Sequence, residues 1–581
     1  MSALIGRLEQ RGALRFASVP CAAAEGCRVA FAGYVAGRGA LVEALRPARG
    51  AAAPDAELVA LAYRRWGERA QAHLLGEYAF ALFDAQRGTL LLGHDALGLV
   101  PLFVGERDGA LTFGTDLAEV VGATGAAELD EDYLADCFAG VRGRDGRTPY
   151  RHIRRLLPGS GAVVRNGAVT GVTTFDPARL EPLAPATTAE YAERLRELVI
   201  DAVASALPAT GTVWSDLSGG LDSSTVVSIA AGTLGVPLEA VSFVFGRSHS
   251  ADETDWIDAV LAAYPIPSHR IDADTVPPFS SPPERYHPEP TGAPIVGALN
   301  DARDALLAAH GVDVVLTGAC GDAVFFGDSP QPYFVADGAS PFAIAAALRR
   351  WAAGSPQRRS FAYWFSRFVG APRLRRLAGK SVVRGTALPS WLRPEYVQHM
   401  QLERRRDRRR IAGLRIGDEY YWNRIAEGAL ITSTGQYRAS AGYAHRNPLL
   451  SLPLVQFMGA LPWPEKMDPG ADRELQRRAL HGILPERTRL RRGKRGPVEA
   501  IFGGLEGSRA WVELLTTRSA LVERGYADPA RWREAVSRAR AGGGTSIAGF
   551  LQACALEAWF ATRHRAPAGS RLEQPSVPVG V

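Results

Sequence analysis

The sequence reads as an α/β protein in two domains, a β-rich α/β unit followed by a doubly wound parallel sheet with helical additions. At 581 residues the chain exceeds what one hydrophobic core normally serves. From residue 188 onward, strand-like and helix-like stretches alternate, the pattern of a parallel sheet covered by helices. Two of those strand-like stretches run straight into loops rich in Gly and Asp. Such sheets bind ligands outside the carboxyl ends of their strands.

Residues 1–180 hold short strands and turns. "EYAFALFDAQRGTLLLGHDALGLVPLF" places two short strands around a turn at Gln86 to Gly88, and "GALTFGTDLAEVV" a further strand leading into a helix. "TFDPARLEPLAPATT", Thr174 to Thr188, carries three prolines and reads as a linker. The second domain, residues 188–565, opens with the amphipathic helix "AEYAERLRELVIDAVASAL". "GTVW" then suits a buried strand, "SDLSGGLDSST" a tight loop, and "VVSIAAGTLG" a helix. "EAVSFVFG" is strand-like, "DWIDAVLAAY" and "ALNDARDALLAAHG" are helical, and "VDVVLTGACGDAVFFG" is a buried strand ending in the second loop. Residues 340–440 form a basic helical insert that includes "LERRRDRRR", and the Pro/Ser-rich residues 566–581 form a flexible tail.

Net charge is +6, from 67 basic and 61 acidic residues, too small a bias to imply a nucleic-acid partner. The five cysteines, at 21, 27, 137, 320 and 554, show no metal-ligand spacing and no disulfide framework. The start "MSALIGRLEQRG" lacks a signal-peptide pattern, and no apolar run reaches the roughly 18 residues of a membrane span. A cytoplasmic location is expected.

The first loop sets two glycines, two aspartates and five hydroxyl residues directly after a strand. Glycines let the backbone approach an anion closely, and successive N–H groups with hydroxyls donate to it. A polyphosphate is the expected ligand. Asp222 in this loop and Asp322 in "LTGACGD" supply two carboxylates, as Mg²⁺ needs when it shares oxygen ligands with substrate phosphates. No GxxxxGK[ST] sequence is present, so a Walker-type kinase or GTPase is excluded.

"SGGLDSS" resembles the pyrophosphate loop of the ATP pyrophosphatases of the asparagine synthetase superfamily, and "LTGACGDAVFFG" resembles that family's second loop. "GEYAFALFDAQRGTLLLGHDALGLVPLF" and "FGTDL" are similar to its glutaminase-type domain. "HRNPLLSLPLVQFMGALP", Arg473 and Arg477 in "RELQRRALHGILP", and "LEAWF" resemble its synthetase landmarks. The resemblance implies an N-terminal Ntn-type αββα sandwich joined to a parallel-sheet ATP-pyrophosphatase domain. It also implies ATP and Mg²⁺, with pyrophosphate on Ser218, Gly219, Gly220, Leu221, Asp222, Ser223 and Ser224. Leu217, Phe245, Thr317 and Gly318 would frame the adenosine, and Asp222 and Asp322 would ligate the metal.

Departures narrow the expectation. Ser2 stands where a working glutaminase domain of this family carries its cysteine, and a hydroxyl is a poorer nucleophile than a thiolate near neutral pH. The nitrogen nucleophile is then expected to be a substrate amine. Ala319 and Cys320 depart from the second-loop pattern, and Pro448-Leu449-Leu450-Ser451 replaces the usual Pro-Phe-Leu-Asp. Two members of the family use an amine: β-lactam synthetases and lasso-peptide cyclases. The extra length in the basic insert favours the cyclase, whose substrate is a linear core peptide and whose pathway partners are a leader-peptide-binding protein and a leader peptidase. A small-molecule amide ligase of the β-lactam-synthetase type, or a glutamine-independent asparagine synthetase homologue, is the alternative.

Lys494, in "RRGKRGP", falls where β-lactam synthetases carry a catalytic lysine, and a cation there would stabilise developing negative charge. The competing reading is a solvated basic turn. His445 in "YAHRNP" and Cys320 read as structural. For "LERRRDRRR" the commonest reading is a solvated helix face, ahead of an acidic-peptide dock or a nucleic-acid patch.

Overall fold

A computed structural model describes residues 4–8, 14–17, 21–24 and 26–565, apart from 144, 247–251, 285, 328–330, 339, 356–358, 383–384, 386, 408–410, 412, 437–441, 471, 494–497 and 544–546. The N-terminal domain stacks two antiparallel sheets. One runs Leu14–Ala17, Ile5–Leu8, Ala110–Gly114, Phe103–Arg107, Ile153–Arg155; the other runs Ala168–Thr173, Ser160–Arg165, Thr89–His94, Leu75–Asp84, Cys27–Ala36, Cys21–Ala24. Leu75–Asp84 is a ten-residue strand rather than a short one, because Cys27–Ala36 pairs with it along its whole length.

That strand shows how the layers are built. Ala79 and Ala81 point into the core between the sheets with Leu90, Leu92, Leu111 and Phe113. Tyr78, Phe80 and Leu82 point the other way, against Leu58, Val59 and Tyr63 of the helix Asp55–Trp66. On the far side, helices Leu117–Thr124 and Glu131–Ala139 pack on Phe103 and Ile153. Helix, sheet, sheet and helix follow in order, the expected αββα sandwich. The run "YAFALF" is continuously apolar because both faces of its strand are covered.

Helix Thr188–Ala206 opens the second domain after the linker, with Thr187 and Glu190 closing a capping box. Five parallel strands follow in the order Ser268–Asp272, Glu239–Val244, Val213–Asp216, Val314–Leu316, Ala444–Arg446. Chain order climbs outward on one side of Val213–Asp216 and jumps to Val314–Leu316 on the other. That reversal opens a crevice between the carboxyl ends of these two strands. Between the fourth and fifth strands, helices run from Pro341–Gly354 to Ile416–Gly435.

Part of "LERRRDRRR" is not a solvated face. Leu402 is buried, and Arg405 forms ion pairs with Asp132 and with Asp136, the latter at 3.0 Å, both on a helix of the N-terminal domain. Asp407 pairs with Arg375 and Lys380, each at 2.8 Å. Residues 408–410 and 566–581 lie outside the described residues. Among the described residues no helix is long and apolar enough to cross a membrane.

Candidate nucleotide site

The first loop leaves Val213–Asp216 and is fastened by its own hydroxyls. The Ser218 backbone N–H donates to Ser223 Oγ at 3.0 Å, and the two serine hydroxyls lie 3.1 Å apart. Gly219 has φ +70, and a Cβ there would lie 2.7 Å from Trp256 Cβ and 2.9 Å from the Ile257 nitrogen. Only glycine fits that turn. Helix Leu221–Val227 begins at once behind Gly220.

The second loop leaves Val314–Leu316 and presses against the first. A Cβ on Gly318 would sit 2.5 Å from the Ser223 nitrogen, and one on Gly321 would sit 2.2 Å from Asp222 Cγ. Close approach, to backbone at Gly318 and to the Asp222 side chain at Gly321, explains these two glycines rather than turn geometry. The Thr317 hydroxyl donates to Asn447 Oδ1 at 2.7 Å, which ties this loop to the strand end at Arg446.

Asp222 and Asp322 meet at one cation. Arg473 Nη1 donates to Asp222 Oδ1 at 2.8 Å and to Oδ2 at 2.9 Å, while Nη2 pairs with Asp322. Arg473 is buried and holds φ +55 at the start of helix Glu474–Ala479. Two carboxylates that reach one guanidinium can also reach one divalent ion, so the oxygen donor set fits Mg²⁺ shared with a polyphosphate.

Around this pair lies a cavity of about 890 Å³. Leu217, Ser218, Gly220, Leu221, Asp222, Ser223, Phe245, Thr317, Gly318 and Asp322 line it, so most of the expected contact residues come together. Gly219 faces Trp256, and Ser224 is fully buried behind the loop; neither lines the cavity. Lys494 and Ser2 lie outside the described residues, though Gly493 is on the cavity wall.

Sequence reasoning missed much of the cationic wall. Arg303 reaches both Asp216 oxygens at 3.4 Å and His445 Nε2 at 3.1 Å. Arg491 donates to the Gly219 carbonyl at 3.1 Å, pairs with Glu253 and lies 4.2 Å from the Trp256 ring centre. The run "LRRGKRG" signalled Arg491, but nothing local distinguished it from its neighbours. Cys320 adopts φ +64, its Sγ 3.1 Å from Thr432 Oγ1, and burial pushes its thiol up from 9.0.

A second cavity, of about 1040 Å³, shares Ala319, Cys320 and Asp322 with the first. The insert supplies Arg367, Arg375, Arg406 and Arg424 to its wall. The arrangement can hold a polyphosphate and a metal beside Asp222 and Asp322, with a basic chamber opening next to them.

Residues 194–561 match the family model for asparagine synthase, and residues 21–175 match the glutamine amidotransferase domain. The glutamine-hydrolyzing asparagine synthetase 1 of Bacillus subtilis is 27% identical over 177 residues, 30% of this chain and 28% of that one. The putative glutamine-hydrolyzing asparagine synthetase of Mycobacterium tuberculosis is 29% identical over 185 residues, 30% of this chain and 28% of that one. Amidase chyE of Penicillium rubens is 28% identical over 192 residues, 30% of this chain and 26% of that one. The aligned region spans little more than a quarter of these relatives' length. The asparagine synthase match alone takes in well over half of the residues, and the chain belongs to the asparagine synthase family.

Proposed function

We propose that this chain is an ATP-dependent, AMP-forming amide ligase that closes a macrolactam in a linear peptide, as a lasso-peptide cyclase does. The observation that carries the ligase chemistry is the convergence of Asp222 and Asp322 on one cation position between two glycine loops at the sheet's crevice. The basic chamber of about 1040 Å³ beside Asp322 supports a substrate larger than an amino acid.

The 217–224 loop would cradle the pyrophosphate through backbone N–H groups and the Ser218 and Ser223 hydroxyls. Asp222 and Asp322 would hold Mg²⁺, which when bound neutralises polyphosphate charge. An Asp or Glu side-chain carboxylate of the peptide attacks the α-phosphorus, and pyrophosphate leaves. The peptide's N-terminal amine then attacks the activated acyl carbon, loses a proton and displaces AMP. Arg303, Arg473, Arg477 and Arg491 line the same cavity, each paired with an acidic side chain of its wall. Holding both ends of one chain in a single site makes the second step intramolecular.

The test is mass spectrometry of the core peptide encoded beside this gene, incubated with ATP, Mg²⁺, the leader peptidase and the leader-binding protein. Loss of one water with stoichiometric AMP is the expected result. Conversion of free aspartate to asparagine, with no change in the peptide, would overturn the reading.

A further inference from the structure

A third cavity, of about 590 Å³, lies between the two domains and borders the basic chamber through Glu427 and Ile431. Leu97, Phe138, Val141 and Leu157 of the N-terminal domain form one wall, facing Leu430 and Ile431 of helix Ile416–Gly435. Ile431 is 54% exposed, a large apolar side chain on the boundary between two chambers. The cations on this wall are already engaged. Arg155 pairs with Glu289 at 2.6 Å, and Arg142 donates to the Pro290 carbonyl at 2.6 Å. Gln552, from helix Ile547–Thr562, contributes an amide whose buried Nε2 has no hydrogen-bond partner among the described residues.

The chambers are therefore neighbours in a row. The nucleotide cavity and the arginine-lined chamber share Asp322 on their walls, and that chamber and the interdomain cavity share Glu427 and Ile431. We infer that the interdomain cavity seats an apolar, uncharged segment of the peptide substrate, with Gln552 donating to one of its backbone carbonyls. The inference rests on the peptide-ligase reading above and adds where the peptide lies. Apolar walls favour burial of apolar side chains, and an unmatched buried donor favours a ligand that brings an acceptor. A polyanion brings an acceptor but no apolar surface, and a free amino acid is too small to fill a cavity of about 590 Å³. A peptide whose acidic side chain reaches the nucleotide cavity and whose apolar stretch lies beyond Ile431 satisfies both.

The test is affinity selection on the full chain loaded with a non-hydrolysable ATP analogue and Mg²⁺. The probe is a synthetic library of linear peptides, each with a free N-terminus and one Asp or Glu and otherwise randomised. Wild-type protein should enrich peptides that carry an apolar stretch. Ala426→Trp fills the cavity from an exposed helix position and should cut that enrichment about tenfold, while the analogue stays bound. Gln552→Leu, a milder change, should weaken it about fivefold, the size of one neutral hydrogen bond. Unchanged enrichment in both variants overturns the seat and leaves the ligase reading standing. If wild-type protein holds the analogue but enriches no peptide, the peptide-ligase reading fails and the seat fails with it.

Discussion

Asn447 and Glu77 meet across the domain boundary: the Asn447 backbone N–H donates to Glu77 Oε1 at 2.5 Å, and Nδ2 donates to Oε2 at 2.8 Å. Asn447 also accepts the Thr317 hydroxyl at 2.7 Å, so one side chain ties the N-terminal domain to the second nucleotide loop.

This contact titrates. Burial lifts the Glu77 carboxyl from 4.5 to about 7, against the opposing pull of the Asn447 hydrogen bonds. Between those values the folded protein keeps a proton that the unfolded chain has released. The Glu77 contribution is therefore full below pH 4.5, falls as pH rises toward about 7, and is flat above. Glu77→Gln cannot titrate, and should remove on the order of 3 kcal/mol of that decline. Denaturant unfolding of both proteins across this window measures it; parallel profiles would contradict the assignment.

Asp222→Ala and Asp322→Ala should each lower ATP-dependent AMP release by about 100-fold or more, because each removes half of the oxygen donor set at the cation position. Circular dichroism should show the fold retained. Wild-type AMP release in either variant would refute the paired-carboxylate site.

Gly318→Ala tests the close approach of the two loops. The new methyl would fall 2.5 Å from the Ser223 nitrogen and 2.7 Å from the Asp222 carbonyl carbon, which are backbone atoms that cannot swing away. Overpacking of this kind costs about 1–3 kcal/mol. An ATP KM raised about tenfold or more is the expected outcome. Gly503→Ala, with nothing within 4 Å of its Cβ, is the control that should leave KM unchanged.

Lys494→Met should reduce amide product by about 100- to 1,000-fold while nucleotide binding persists, the usual cost of removing one preorganised charge donor. Arg492→Met is the neighbouring control. Equal and slight losses in both would make "RRGKRG" a solvated turn.

Glutamine should release no ammonia and add nothing to the rate, since Ser2 offers a hydroxyl rather than a thiolate. Glutamate formed from glutamine by the purified protein would overturn this.

The sheet, the linker and both loops were legible because local patterning carries them. Apolar strands followed by Gly, Ser and Asp leave few alternatives. The long-range partners were not legible. Nothing around Arg473 announces that it spans Asp222 and Asp322, some 250 and 150 residues away. Asn447 stands in a stretch the sequence singles out, yet nothing there points to Glu77, which the fold brings to it from 370 residues away. The basic run at 402–407 was misjudged for the same reason, since charge composition cannot say which acid it will face.

The Arg405 pairing with Asp132 and Asp136 bears on how this architecture can change over time. A module held to its neighbour by few contacts is normally free to shrink or vanish. Here its removal would strand a guanidinium and expose the apolar surfaces that Phe138 and Tyr150 share with Trp391 and Trp559. The amidotransferase-like half thus supports the insert structurally, whether or not it carries a reaction of its own. A chain shortened by that half would need new partners for the insert.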